Sequence, residues 1–192
     1  MAVLVACEES QAVVVELRKV GIEAFSCDMQ ICSGNYPEWH LVCDVLEILN
    51  DGWDGIISFP PCTHLSKICA SSWDQKRKDG RQQQGIDFFM RFVNCDCKIV
   101  SIENPVGIIS SVWKKPTQII QPYMFGDPLK KTTCLWLKGL PKLKPTNIVD
   151  PIAHWVNAQA RVSLSGIANC SKERSKTFLG IAKAMASQWK DY

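Results

Sequence analysis

The chain has 192 residues, 46% of them hydrophobic and 21% charged, with a formal net charge of +3. That balance suits one ordinary soluble globular domain with a substantial core, and no apolar run approaches the roughly 18 residues needed to cross a bilayer. The chain has ten cysteines, and its start, MAVLVACEES, lacks the basic residues and cleavage site of a signal peptide, which argues against a secreted disulfide scaffold. With no CxxC and only a lone CxC at Cys95 and Cys97, no metal site is expected. Most thiols are expected to be reduced, buried and apolar in behaviour.

In chain order, Ala2 to Ala6 reads as a first strand. Ser10 is placed to cap a helix running to about Val20, with Val13, Val14, Leu17 and Val20 on one face and Gly21 in its terminal turn. Glu23 to Cys27 is a second strand ending at Asp28. The turn-forming SGNYPEW follows, then a short strand at Leu41 to Cys43 and a helical segment opened by Asp44. Gly55 to Phe59 is a continuous apolar strand that delivers Pro60, Pro61 and Cys62. A polar stretch without clear periodicity runs to about Gln82, after which Ile86, Phe89, Met90 and Val93 mark a helix face. Lys98 to Ile102 is another strand, with Glu103, Asn104 and Pro105 just past its end. Val106 to Trp113 reads as a helix and Thr133 to Leu137 as a strand. Ser171 is placed to cap a final helix carrying Ile181, Ala182, Met185 and Trp189 on one side. The alternation predicts an α/β fold with a mostly parallel sheet covered by helices on both faces.

Ligands of such sheets bind beyond the carboxyl ends of the strands. The Cys7 to Gln11 turn, Asp28, Asp44, Cys62 and Glu103 are all expected there. An acid ending the second strand can accept from ribose hydroxyls. Asp44 can accept from an adenine amino group or act as a plain helix cap. Together they suggest a nucleoside-bearing cofactor. Cys62 is either a buried thiol in a rigid turn or a nucleophile whose two prolines stiffen its loop. Glu103 is a candidate general acid that Asn104 orients. No histidine pairs clearly with Cys62, which disfavours a papain-like protease. A cysteine with a carboxylic acid suits addition to an electron-poor ring whose nitrogen the acid protonates. The basic KRKDGR run and the lysines at 114, 115, 130, 131, 138, 142 and 144 are either solvated surface or a polyanion footprint. Trp39, Trp73, Trp113 and Trp155 are candidate base-stacking residues, with core packing as the alternative.

SFPPCTHLS and SIENPVG resemble the Pro-Cys and Glu-Asn-Val motifs of the DNA cytosine-5 methyltransferases, in matching order and spacing. FGDPLKKTTCLWLKG is similar to that family's Tyr-Gly-Val-Pro-Gln-x-Arg-x-Arg strand, with Lys131 and Thr133 where the arginines stand. GIAKAMASQW resembles its last motif, and the whole chain is similar to small phage and prophage cytosine methylases. The resemblance implies a Rossmann-like class I methyltransferase fold in a single catalytic domain over 1–192, with 139–171 replacing a full target-recognition region. It implies S-adenosyl-L-methionine as cofactor, held by Ala6, Cys7, Glu8, Ser10, Asp28, Met29, Asp44, Val45 and Pro60. It implies catalysis by Cys62, Glu103, Asn104 and Lys131. The substrate is expected to meet Pro61, Thr63 and Ser66, the basic Lys76, Arg77, Lys78 and Arg81 of a mobile loop, and Lys130 and Thr133. DNA is the implied partner, in the cytoplasm of a bacterial host if phage-encoded, with no membrane partner. Three features depart from the family, the first being the shortness of the region between Gly139 and Ser171 against a usual target-recognition domain. ACEESQ has no glycine where the family has Phe-x-Gly-x-Gly-Gly, and Thr63 replaces a glutamine. Cysteine addition on RNA or a free pyrimidine nucleotide, and a non-catalytic nucleic-acid-binding relative, stay open as alternatives.

Overall fold

The computed structural model describes residues 1–154 and 176–192. Its centre is a seven-stranded sheet. The strands are β1 (Ala2–Ala6), β2 (Glu23–Asp28), β3 (His40–Val42), β4 (Gly55–Ser58), β5 (Val100–Pro105), β6 (Gln118–Ile120) and β8 (Thr133–Lys138). Their order is β3-β2-β1-β4-β5-β8-β6. The first five are mutually parallel, and β8 runs antiparallel to both β5 and β6. A separate pair joins β7 (Leu129–Lys130) to β9 (Ala153–His154).

Side chains alternate across the strands and so divide between two cores. Val3 and Val5 of β1, Ile57 of β4 and Leu135 of β8 point into one core. There they meet Val13, Val14 and Leu17 of α1 (Ala12–Lys19) and Ile181, Met185 and Trp189 of α6 (Leu179–Trp189). Leu4, Ala6, Ile56, Val100 and Ile102 point the other way, onto Phe89 and Phe92 of α4 (Arg81–Val93). Phe89 and Phe92 are wholly buried, and removing either ring should cost about 3–5 kcal/mol. The expected faces of α1 and of the final helix form the core, except Val20, which is the C-cap of α1 and largely exposed. On α4 only Phe89 of the expected face is buried; Ile86, Met90 and Val93 pack against the core half-buried, and Phe92, outside that face, is buried beside Phe89.

Several boundaries differ from the sequence reading. α1 starts later, because Gln11 rather than Ser10 is its N-cap. β3 lies one residue earlier, and Asp44 caps the short α2 (Val45–Ile48) by accepting from the Leu46 amide at 2.9 Å. The stretch without periodicity holds a 3-10 helix (Lys67–Ser72) and α3 (Trp73–Lys78). β5 continues through Glu103, Asn104 and Pro105, because β8 pairs with it along that whole length. The expected helix from Val106 shrinks to α5 (Ile109–Val112). The strands β6, β7 and β9 carry too few residues for a period-2 pattern to show. Ser171 and Trp155 lie outside the described residues. Four of the nine described cysteines are buried and five half-buried, so the thiols are less uniformly interior than expected, and none of the nine is disulfide-bonded.

Candidate active site at the carboxyl edge of the sheet

The sheet order reverses between β1 and β4, and both strands deliver their next residues to one edge. β4 ends at Ser58, aligned with Ile102 of β5, so Cys62 follows four residues past the strand whose neighbour carries Glu103. The buried Asn104 side chain donates from Nδ2 to the Pro60 carbonyl at 2.8 Å. Pro60 is buried and Pro61 exposed. The prolines fix the backbone, and this bond fixes the loop to β5.

A second set of bonds holds the chain after the cysteine. The Leu65 and Ser66 amides donate to the Cys62 carbonyl at 3.0 and 2.9 Å. The Ile108 amide donates to the Leu65 carbonyl and the Lys67 amide to the Val106 carbonyl, both at 2.9 Å. This close pairing needs Gly107, since a Cβ there would strike the Leu65 carbonyl. The Lys76 ammonium then donates to the Thr63 carbonyl at 2.7 Å. Cys62 therefore sits half-buried in a loop fastened on both sides.

Around it, Glu103 and Lys131 act on the same thiol. Burial pushes the Cys62 thiol above its ordinary range, the Glu103 carboxylate adds to the rise, and the Lys131 ammonium opposes it. Burial likewise raises Glu103, again opposed by Lys131. Glu103 keeps some exposed surface, and its carboxyl makes no hydrogen bond among the described residues. Such a group can hold and release a proton near an incoming ligand. Asn104 does not orient Glu103 as expected. Neighbouring strand residues point to opposite faces, and Asn104 serves the Cys62 loop instead.

The second part of the edge lies at β1 and β2. Cys7 and Gln11 both have φ of 59°, the left-handed region that glycines ordinarily supply. Gln11 is held there by its own side chain: Nε2 donates to the Tyr36 carbonyl at 2.7 Å, and Oε1 accepts from the Tyr36 amide at 3.1 Å. Glu8 is buried and accepts from the Val13 and Val14 amides at 2.7 and 3.3 Å, filling the first turn of α1. Ser10 Oγ reaches only the Ala12 amide, at 3.4 Å. Asp28 Oδ1 accepts from the Gln30 amide at 3.0 Å, leaving its second oxygen without a hydrogen bond among the described residues. Burial raises the Cys7 thiol most, with Asp28, Cys27 and Asp44 adding to the rise, and Cys7, Asp28 and Asp44 follow or end the neighbouring strands β1, β2 and β3. Met29 is 73% exposed beside Asp28. This edge thus presents a carboxylate oxygen of Asp28 without a hydrogen bond among the described residues, the exposed Met29 side chain and left-handed backbone at the Cys7 turn. The first-turn amides of α1 at Val13 and Val14 are already used by Glu8.

Other expected contacts are diverted to structural work. Ala6, Val45, Ser66, Lys76 and Thr133 are buried. Ser66 Oγ accepts from the Ile68 amide at 3.3 Å and Thr133 Oγ1 donates to the Lys131 carbonyl at 3.1 Å. Lys76 holds the loop rather than facing a ligand. Arg77 pairs with Asp74 at 3.7 Å and Arg81 with Asp79 at 2.5 Å. Thr63, Lys78 and Lys130 are exposed. Trp39 stacks on Tyr36 with ring centroids 3.9 Å apart, and the Arg18 guanidinium lies 4.4 Å from the Trp39 ring, so Trp39 packs rather than waits for a base. The roles of Glu8 as a cap, Gln11 as a loop clamp and Gly107 as a close approach escaped the sequence reading. The Gln11 and Gly107 roles depend on partners far away in chain, at Tyr36 and Leu65, whereas Glu8 caps amides only five and six residues on.

An open depression of about 510 Å³ between Met1, Gly21 and Tyr192 lies at the opposite end of the strands and is lined by no cysteine or histidine. Chemistry rather than cavity size therefore selects the carboxyl edge. No family model and no curated protein matches the chain.

Proposed function

We propose that this chain is a Rossmann-like methyltransferase that acts on C5 of cytosine in DNA through a covalent bond from Cys62 to C6. The observation that carries the reading is the 2.8 Å bond from Asn104 to the Pro60 carbonyl, which fastens the cysteine loop to the strand bearing Glu103. The parallel β3-β2-β1-β4-β5 order, with its crevice between β1 and β4, supports the fold assignment. Asp28, Met29 and the Cys7 turn would hold the nucleoside part of S-adenosylmethionine, which when bound supplies an electrophilic methyl group.

The chain's own residues account for the rest. The target base leaves its stack to reach the half-buried thiol. The Cys62 thiolate forms a bond to C6, and the C5–C6 π pair shifts through the ring as N3 takes the Glu103 proton. Electron density thereby gathers at C5. Lys131 stabilises the thiolate, since its ammonium favours the charged form of Cys62. With C5 carrying the methyl group that bound S-adenosylmethionine would supply, removal of the C5 proton by a base returns the pair that expels Cys62 from C6, and N3 gives its proton back to Glu103.

The test is to incubate protein, methyl-labelled S-adenosylmethionine and DNA, and to assay 5-methylcytosine. Product that vanishes in Cys62→Ala supports the reading, and none with the parent protein overturns it. RNA and dCMP as parallel acceptors separate the substrate classes. The Glu8 carboxyl in the first turn of α1 favours a second reading, a non-catalytic nucleic-acid-binding relative. Calorimetry with S-adenosylmethionine giving no heat would support that one.

A further inference from the structure

Beside the cysteine loop lies a surface that the chemistry above does not use. Ile68 is 66% exposed, on the 3-10 helix after Cys62, and Val106 is 40% exposed after β5. The bond from the Lys67 amide to the Val106 carbonyl and the Ser66–Gly107 bridge bring these segments together. Trp113, seven residues beyond Val106 at the end of α5, is 38% exposed. Its ring is backed by Phe89 at 6.0 Å and Trp136 at 6.5 Å between centroids. The Trp136 indole also donates to the Lys114 carbonyl at 2.8 Å, fixing the backbone that bears the exposed Lys114 and Lys115. The stretches 60–73 and 106–121 contain Lys67, Lys114 and Lys115 and no acidic residue.

We infer that this strip binds unpaired DNA next to the target base, stacking a base on Trp113 and placing phosphates on the lysines. The inference rests on the nucleic-acid reading above and adds strand preference to it. Exposed apolar and aromatic groups need open base faces, which a single strand offers and a duplex keeps in its own stack. A basic pair beside a supported aromatic ring is complementary to a charged strand, and the two stretches that carry it add no carboxylate of their own.

The test is fluorescence anisotropy with labelled dT12, and with a dT12·dA12 duplex, in the absence of cofactor. Neither probe contains cytosine, so methyl transfer does not enter. The parent protein should bind the single strand more tightly than the duplex. Trp113→Ala should weaken single-strand binding about tenfold, the loss of one stacked base. Trp113→Phe should restore most of it. Because Trp113 also packs against Phe89 and Trp136, the paired Lys114→Glu and Lys115→Glu exchange gives a second readout on exposed side chains. It should lower the magnitude of the log–log salt slope by about 1.4, two phosphates at roughly 0.7 each. No binding by the parent, equal binding of duplex, or a lysine-pair variant that binds as the parent does would overturn the inference. Formation of 5-methylcytosine without strand preference refutes this surface alone. Single-strand binding without methyl transfer refutes the enzymatic reading alone.

Discussion

Glu8 offers a quantitative test of how the β1–α1 turn is built. Its carboxyl is buried and accepts from two amides of α1, yet burial pushes its pKa from 4.5 to about 8. Both amides pull the other way, and Glu9 adds a smaller rise. Between about pH 4.5 and 8 the folded chain thus holds a proton that the unfolded chain has released. A state that binds more protons loses stability as pH rises. Glu8's contribution is fully present below its unfolded pKa and is lost as pH climbs through the folded value near 8. At 1.36 kcal/mol per pH unit, that interval of about 3.5 units sets a ceiling of about 5 kcal/mol. Glu8→Gln cannot ionise. Urea unfolding of both proteins from pH 5 to 9 should show the variant gaining on the parent by up to several kcal/mol, with the other titrating groups common to both. A difference that stays flat with pH would refute the reasoning. So would one in which the variant falls behind as pH rises, because Glu8 would then be ionised and stabilised by the helix terminus.

Two further outcomes follow from the cysteine loop. Asn104→Ala should cost about 1–3 kcal/mol of stability by urea titration, since it leaves the buried Pro60 carbonyl without its donor, and methyl transfer should fall further than stability alone explains. Lys131→Met removes the cation that lowers both Cys62 and Glu103. The productive state has Cys62 ionised and Glu103 protonated, so both limbs of the pH–rate profile should move to higher pH. A profile that stays put or moves to lower pH would contradict that placement.

The core and the sheet edge were legible because their signals are local. Apolar runs such as Gly55–Ser58 and helix faces such as Phe89 with Val93 follow from periodicity alone. The adjacency of Cys62 and Glu103 was legible too, since successive parallel strands end at one edge. What was hidden depends on long-range partners. Asn104 stands next to Glu103 in chain, yet strand alternation turns it toward Pro60. Lys76 sits in a basic run that suggests phosphate, yet it is buried against the Thr63 carbonyl. β5 runs past its apolar residues only because β8 supplies an antiparallel partner from a distant part of the chain. The glycine-free turn gave no hint that Gln11 would adopt a left-handed angle, because the compensating bonds reach to Tyr36.

The most direct measurement of the central claim is intact-protein mass after incubation with S-adenosylmethionine and an oligonucleotide carrying 5-fluorocytosine. With fluorine at C5 there is no proton to remove, so a sulfur–C6 bond cannot be undone by elimination. A covalent adduct whose digest maps to the peptide bearing Cys62, and which Cys62→Ala abolishes, is the expected result. Protein that emerges unmodified, or modified at another of its cysteines, would contradict the claim that this thiol is the reacting atom.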